Sequence, residues 1–195
     1  MNIISFATTN KEKLLIAQTV CGQAGIDIQQ EILDIDEIQG EDSELIVRDK
    51  VMRAYSSLEK PVVVSDDSWD IPALRGFPGA YMKSINTWFT EDDFLRLMNG
   101  IEDRTIILHQ YLAFYDGKKL EIFRNDITGK VIKEIRGHNS KSPNMSVIVL
   151  DADSGKTIAE VFEEGGGAVT DRYKDRRDVW HELVDGLDII KATSN

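Results

Sequence analysis

Ile3-Ile4-Ser5-Phe6-Ala7-Thr8-Thr9-Asn10-Lys11-Glu12-Lys13 is the stretch on which the fold turns. A short apolar run bounded by polar turn residues reads as a buried strand. Thr8-Thr9-Asn10 supplies turn and N-cap chemistry, and a helix follows with Leu14, Leu15 and Cys21 on one side, ending at Gly22. Outward from there, the pattern predicts a strand near Ile26 to Leu33, an acidic loop from Asp34 to Ser43, and a helix to about Leu58. Val62-Val63-Val64 is a further buried strand running into Ser65-Asp66-Asp67-Ser68. Arg75 to Tyr81 holds too much Gly and Pro for regular structure. Thr90 with Asp93 reads as a capping box opening a helix with Phe94, Leu95 and Met98. Ile106 to Tyr115 and Leu120 to Asn125 form a hairpin around Asp116-Gly117. Ser146 to Leu150 and Thr157 to Phe162 are expected as strands, Glu163 to Tyr173 as a polar loop, and Arg176 to Val184 as a helix stopped by Asp185-Gly186. Strands and helices interleave first and antiparallel signals follow, which predicts an α/β fold with a mixed sheet.

The chain has 195 residues, 42% hydrophobic and 29% charged, with a net charge of −11. That is the balance of a folded domain, and the length suits a single domain over 1–195, with room for two lobes. The acidic balance argues against a protein that coats nucleic acid or lies on anionic lipid. A triphosphate ligand would need local lysines or a metal ion against this field. One cysteine, Cys21, excludes an intrachain disulfide framework and a cysteine-rich zinc site. A single cysteine makes a reducing, cytoplasmic setting the expected one; separately, no apolar run approaches a membrane span and no basic-then-apolar leader is read.

Four features could carry chemistry. Thr8-Thr9-Asn10, at a strand-to-helix turn, could hold an anion on free N–H groups with Lys13 one turn in; the alternative is an ordinary cap. Asp66 and Asp67 follow a buried strand, where α/β sheets gather ligand sites, and could hold a metal ion or activate water; the alternative is a capped turn. Glu37 and Lys50 could serve metal and phosphate, or be solvated surface charge. Gly76 to Lys83 could be a rigid loop that lets a ligand approach the backbone, with Lys83 adding charge, or a plain turn. His109, His138 and His181 have no ligand spacing, and no P-loop, G-x-S-x-G or G-x-G-x-x-G is present.

Together these pieces resemble the inosine triphosphate pyrophosphatase family over Ile3 to about Leu183. Thr8-Thr9-Asn10-Lys11-Glu12-Lys13 is similar to its T-x-N-x-x-K phosphate loop, Glu37-Ile38-Gln39-Gly40-Glu41 to a metal-binding E-x-Q-G-E segment, and Lys50 to its phosphate-contacting lysine. Pro61 to Ser68 with Ala73 to Lys83 is similar to its acidic pair and A-L-x-G-x-P-G-x-Y segment. The resemblance implies Mg²⁺-dependent hydrolysis of a nucleoside triphosphate to monophosphate and pyrophosphate. It also implies an elongated mixed α/β fold, two lobes around a nucleotide cleft, and a homodimer. Glu37, Asp66 and Asp67 are the implied metal ligands, with Asp66 favoured as general base and Asp67 as metal partner or second choice. Thr8, Asn10, Lys13, Lys50 and Lys83 are implied on the substrate.

The second half departs from this pattern. The family's F-G-[YW]-D-P segment is replaced by 138–146, with no aromatic and no aspartate. The later S-H-R motif falls either on Thr170-Asp171-Arg172 or on Lys174-Asp175-Arg176. Asp171, Arg172 and Arg176 are therefore the candidates for reading the base. These changes fall on base recognition rather than phosphate chemistry, so altered base specificity is expected. The competing reading is a non-catalytic nucleotide-binding protein on the same fold.

Overall fold

Three parallel strands form the start of the sheet. The computed structural model describes residues 2–139, 142–164 and 177–193. β1 (Asn2–Ala7) pairs on one side with β2 (Ile26–Glu31) and on the other with β3 (Val62–Ile71), both parallel. Parallel neighbours need crossovers, and α1 (Lys11–Gln23) and α2 (Ser43–Leu58) provide them. The rest of the order is β4 (Phe77–Gly79), α3 (Met82–Trp88), α4 (Glu91–Leu97), β5 (Thr105–Tyr115), β6 (Leu120–Val131), β7 (Ile148–Leu150), α5 (Ile158–Glu163) and α6 (Val179–Thr193). The strands lie in the order β2-β1-β3-β5-β6-β7, with β4 antiparallel to the far part of β3. This is the expected mixed α/β sheet with flanking helices.

The described chain divides into two compact units. The first takes residues up to Asp66, Gln110–Asn125 and α6; the second takes Asp67–His109 and the stretch from Asp126 through α5. In the first, successive strand residues pack on opposite faces. Phe6 and Val63 face Ala17, Val20 and Cys21 of α1 and Trp180 and Leu183 of α6. Val62 and Val64 face Val47, Val51 and Ala54 of α2. Phe6 is fully buried with Trp180 edge-on at 4.8 Å between ring centroids; burying a side chain of this size stabilises by about 1.5–3 kcal/mol. The second unit has its own core, built on Trp69, Ile71, Ile85, Phe94, Ile106 and Ile148.

Several expectations are corrected. β3 does not end at Ser65 but continues to Ile71, because Trp69, Asp70 and Ile71 pair with Gly79, Pro78 and Phe77. The Gly/Pro stretch after Arg75 therefore contains a short strand, β4. Ser146 is the end of a 3₁₀ turn (Pro143–Ser146), and only Ile148–Leu150 is strand. Thr157 to Phe162 is not a strand: Thr157 caps a helix, accepting from the Glu160 N–H while Glu160 accepts from the Thr157 N–H. Asp185-Gly186 does not stop α6, which runs on to Thr193. A Cβ on Gly186 would lie 2.9 Å from the Phe123 ring, so the glycine lets the helix rest on β6. Leu15 is exposed, and α1 buries Ala17, Val20 and Cys21 instead.

At the α1–α6 contact, burial, reinforced by the nearby Asp178 charge, pushes the Cys21 thiol up to about 12. Asp178 is itself buried, and that burial raises its pKa although it accepts from the Trp180 and His181 N–H groups and contacts the His181 ring.

Candidate active site

The chain leaves β1 through α1 to β2 on one side, then returns through α2 to β3 on the other. The connections thus diverge at the carboxyl end of β1, the place where open α/β sheets leave a crevice for ligands. Glu31, Ala7 and the Ser65–Asp66 part of β3 lie toward this edge, since β1 and β3 run parallel with Ser5 beside Val62 and Phe6 beside Val63. Ala7, Glu31, Ser65 and Asp66 belong to the first unit.

Thr8 and Asn10 shape the turn out of β1. Thr8 Oγ1 accepts from the Asn10 N–H at 3.1 Å, and Asn10 Oδ1 accepts from the Glu12 and Lys13 N–H groups at 2.9 and 3.1 Å. The cap stabilises α1 by about 1 kcal/mol. It also occupies N–H groups that the anion-site reading had left for a ligand. Asn10's carboxamide oxygen is committed, so the amide NH₂ is what it can still offer. Lys13 lies in the first turn of α1, half-buried, where its charge adds to the positive end of the helix.

Glu37 and Lys50 meet directly. Lys50 Nζ lies 2.5 Å from Glu37 Oε1 and donates to the Ser65 carbonyl at 3.4 Å. Its side chain is 16% exposed and that of Glu37 40% exposed. The position follows from helix spacing: Lys50 is one turn beyond Ile46, at the border of the apolar stripe that α2 buries with Val47, Val51 and Ala54. Asp42 fixes where that helix starts by accepting from the Glu44 and Leu45 N–H groups. The ammonium thus ties the acidic loop to the end of β3. The Ser65 carbonyl is a participant that side-chain motifs could not reveal.

Asp66 and Asp67 are consecutive residues on a pleated strand, so they take opposite parities. Asp66 shares the parity of Val62 and Val64, which pack on α2, while Asp67 shares that of Val63, which packs on α1 and α6. The boundary between the two units falls between them. Lys83 stands exposed in the first turn of α3 in the second unit. Of the stretch set against the family's base-reading segment, Pro143–Ser146 is a 3₁₀ turn in which Asn144 and Ser146 are buried, and Asn144 Oδ1 and Ser146 Oγ have no hydrogen-bond partner among the described residues. Asp171, Arg172 and Arg176 lie outside the described residues.

The sequence profile of the Ham1 family matches residues 4–178. An inosine triphosphate pyrophosphatase of Ajellomyces capsulatus is 29% identical over 185 residues, 89% of this chain and 92% of the relative. A dITP/XTP pyrophosphatase of Methanosarcina acetivorans is 31% identical over 138 residues, 70% of this chain and 75% of the relative. Among solved structures, a HAM1 protein from Coxiella burnetii superposes with a TM-score of 0.74 at 20% identity, covering 96% of this chain and 99% of its own. The β2-β1-β3 arrangement, the capped turn after β1 and the match over residues 4–178 lead to one assignment: the chain belongs to the Ham1 family.

Proposed function

We propose that this protein is a nucleoside triphosphate pyrophosphatase that cleaves between the α- and β-phosphates of a non-canonical or modified nucleotide. Two pyrophosphatases as relatives, each matched over two thirds of this chain or more, support the reaction class. The observation that carries the site is Lys50, bridging Glu37 and the Ser65 carbonyl at the carboxyl edge of the parallel strands.

Asp66 accepts a proton from water as the water oxygen forms a bond to the α-phosphorus. The bond from that phosphorus to the bridging oxygen breaks, and pyrophosphate leaves with its electron pair. Lys13 and Lys50 hold the phosphates, Thr8 and Asn10 fix the turn beneath them, and Lys83, Asp171, Arg172 and Arg176 are assigned to the rest of the nucleotide. Asp67, on the opposite parity, is the second choice for the base.

A divalent metal fits the donor chemistry, and Mg²⁺ is our assignment. Glu37, Asp66 and Asp67 offer only hard oxygen ligands, with no thiol or imidazole among them. Among the described residues no group of three His, Cys, Asp or Glu side chains converges on one point. Asp66 and Asp67 stand on opposite parities of β3, so Glu37 with one of the two is the pair that would hold the ion. Bound there, it would supply charge neutralisation for a triphosphate in a chain of net charge −11.

Base recognition in this reading differs from that of the relatives. The resemblance calls for an aromatic and an aspartate in the stretch that here is 138–146, which has neither. We further assign a single domain over 1–195, a homodimer and a cytoplasmic setting; no described helix is long and apolar enough to cross a membrane. The test is pyrophosphate release with Mg²⁺ across ordinary, deaminated and modified nucleoside triphosphates. Release from one or a few is expected. Silence across the panel in a protein that still binds triphosphate would replace this reading with a nucleotide-binding protein.

A further inference from the structure

β2 holds the turn out of β1 by more than the strand ladder. The Thr8 N–H donates to the Glu31 carbonyl at 3.1 Å, just where β2 ends. The Thr8 carbonyl is then met by a side chain: Gln30 Nε2 donates to it at 2.9 Å from a half-buried position. Both backbone groups of Thr8 are therefore pinned to β2, within the first unit. A second glutamine makes a bond of the same kind nearby. Gln18 Nε2, on α1, donates to the Ile28 carbonyl at 3.0 Å, two residues back along β2 from Gln30.

A peptide is planar and trans, so its C=O and N–H point opposite ways. Fixing the Thr8 carbonyl against β2 turns the Thr9 N–H away from β2. Thr9 is exposed, and its N–H has no partner among the described residues, whereas those of Asn10, Glu12 and Lys13 are taken by the cap. The Gln30 bond thus acts twice on an anion in this turn. It engages a carbonyl lone pair that would repel phosphate oxygens, and it presents them with a backbone donor. Without it, the same carbonyl must find its donor in water, and the peptide is free to swing.

We infer that Gln30 is a positioning residue for the phosphate turn, setting the Thr8–Thr9 peptide through its bond to the Thr8 carbonyl so that the turn accepts a polyphosphate. This rests on the pyrophosphatase reading for its substrate, but it can be tested apart from turnover. The probe is inorganic tripolyphosphate with Mg²⁺, titrated calorimetrically into the full chain. Gln30→Met keeps the length and loses the donor, and is expected to weaken binding about fivefold, the worth of one hydrogen bond. Gln30→Glu, which has only acceptors at neutral pH, should lose at least as much. Gln18→Met is the control: it deletes a matching bond to β2 away from the turn and should leave the affinity unchanged. In turnover, Gln30→Met should raise KM by a similar factor with kcat less affected. By NMR, tripolyphosphate should shift the Thr9 amide proton strongly in the parent and weakly in Gln30→Met.

Unchanged tripolyphosphate affinity in folded Gln30→Met or Gln30→Glu overturns the inference, as does an equal loss in Gln18→Met, which would mark a general seating of β2. If the parent's tripolyphosphate binding depends on Gln30 but no nucleotide yields pyrophosphate, the inference stands and the pyrophosphatase reading falls. Pyrophosphate release with the same KM in parent and Gln30→Met does the reverse. A parent that does not bind tripolyphosphate at all overturns both.

Discussion

Lys50 in the first unit and Arg104 in the second are both cations drawn in from solvent, and they are held by opposite means. Lys50 rests on an exposed carboxylate at 2.5 Å and on one carbonyl at 3.4 Å. Arg104 gives Nε to the Val131 carbonyl at 2.6 Å, Nη1 to Met98 at 2.8 Å and Nη2 to Ile132 at 2.9 Å. Burial lowers its pKa, and its partners are all backbone. A guanidinium fork met by fixed carbonyls is a joint between α4, the start of β5 and the end of β6. An ammonium leaning on a side-chain carboxylate can exchange that partner for a phosphate oxygen, because both are anionic oxygens and the exposed pair is worth little by itself. Similar degrees of burial thus conceal different jobs, and the identity of the acceptor tells them apart.

Four substitutions break or sharpen this contrast. Asp66→Asn should lower turnover by about 10²–10⁴-fold with an unchanged melting temperature, as expected for loss of a general base. Asp67→Asn should be milder, and the reverse order in a pyrophosphate-release assay would move the base to the other face of β3. Arg104→Ala strands carbonyls that lose their donor, and urea unfolding should show a loss of about 2–4 kcal/mol while KM of the folded enzyme stays put. Lys50→Met should do the opposite, raising KM about tenfold, which corresponds to about 1.4 kcal/mol of binding, with little change in melting. If it melts the protein as Arg104→Ala does, the distinction fails.

The smallest effect concerns Asp178. Its carboxyl has a raised pKa because it is buried, so the folded state favours the protonated form. The stabilisation from that proton is complete below the ordinary carboxylate value and is lost as pH rises through the raised one. Asp178→Asn keeps an acceptor for the helix cap and removes the buried charge. Its melting temperature should exceed the parent's by about 2–4 °C at pH 7, corresponding to about 1 kcal/mol, and the difference should vanish below about pH 4. A gain that persists in acid would point to packing instead.

What could be read from the sequence was whatever is decided within a few residues. Asn10 and Thr90 announce their helices because a side-chain oxygen three residues from an N–H needs no distant help. Glu37 and Lys50 were legible as charges sharing a region, but their contact depends on how the loop folds back over α2. The extension of β3 was not legible: Asp66-Asp67-Ser68 looks like a turn until β4 supplies hydrogen bonds to the residues beyond. Thr157 to Phe162 suggests a strand because Ile158, Val161 and Phe162 suit one, although Thr157 and Glu160 carry the capping-box signal of the helix that forms. Gly186 reads as a stop, and only the Phe123 ring packed against it shows why the helix passes through.

The chain's one cysteine sits fully buried between α1 and α6, with its thiol pushed up to about 12. At neutral pH it is shielded from alkylating reagents both by packing and by the scarcity of thiolate. Cys21 is therefore a ready-made clock. The rate at which a maleimide labels native protein reports how often α1 lifts from its sheet, and its slowing by a bound nucleotide would measure affinity without any turnover.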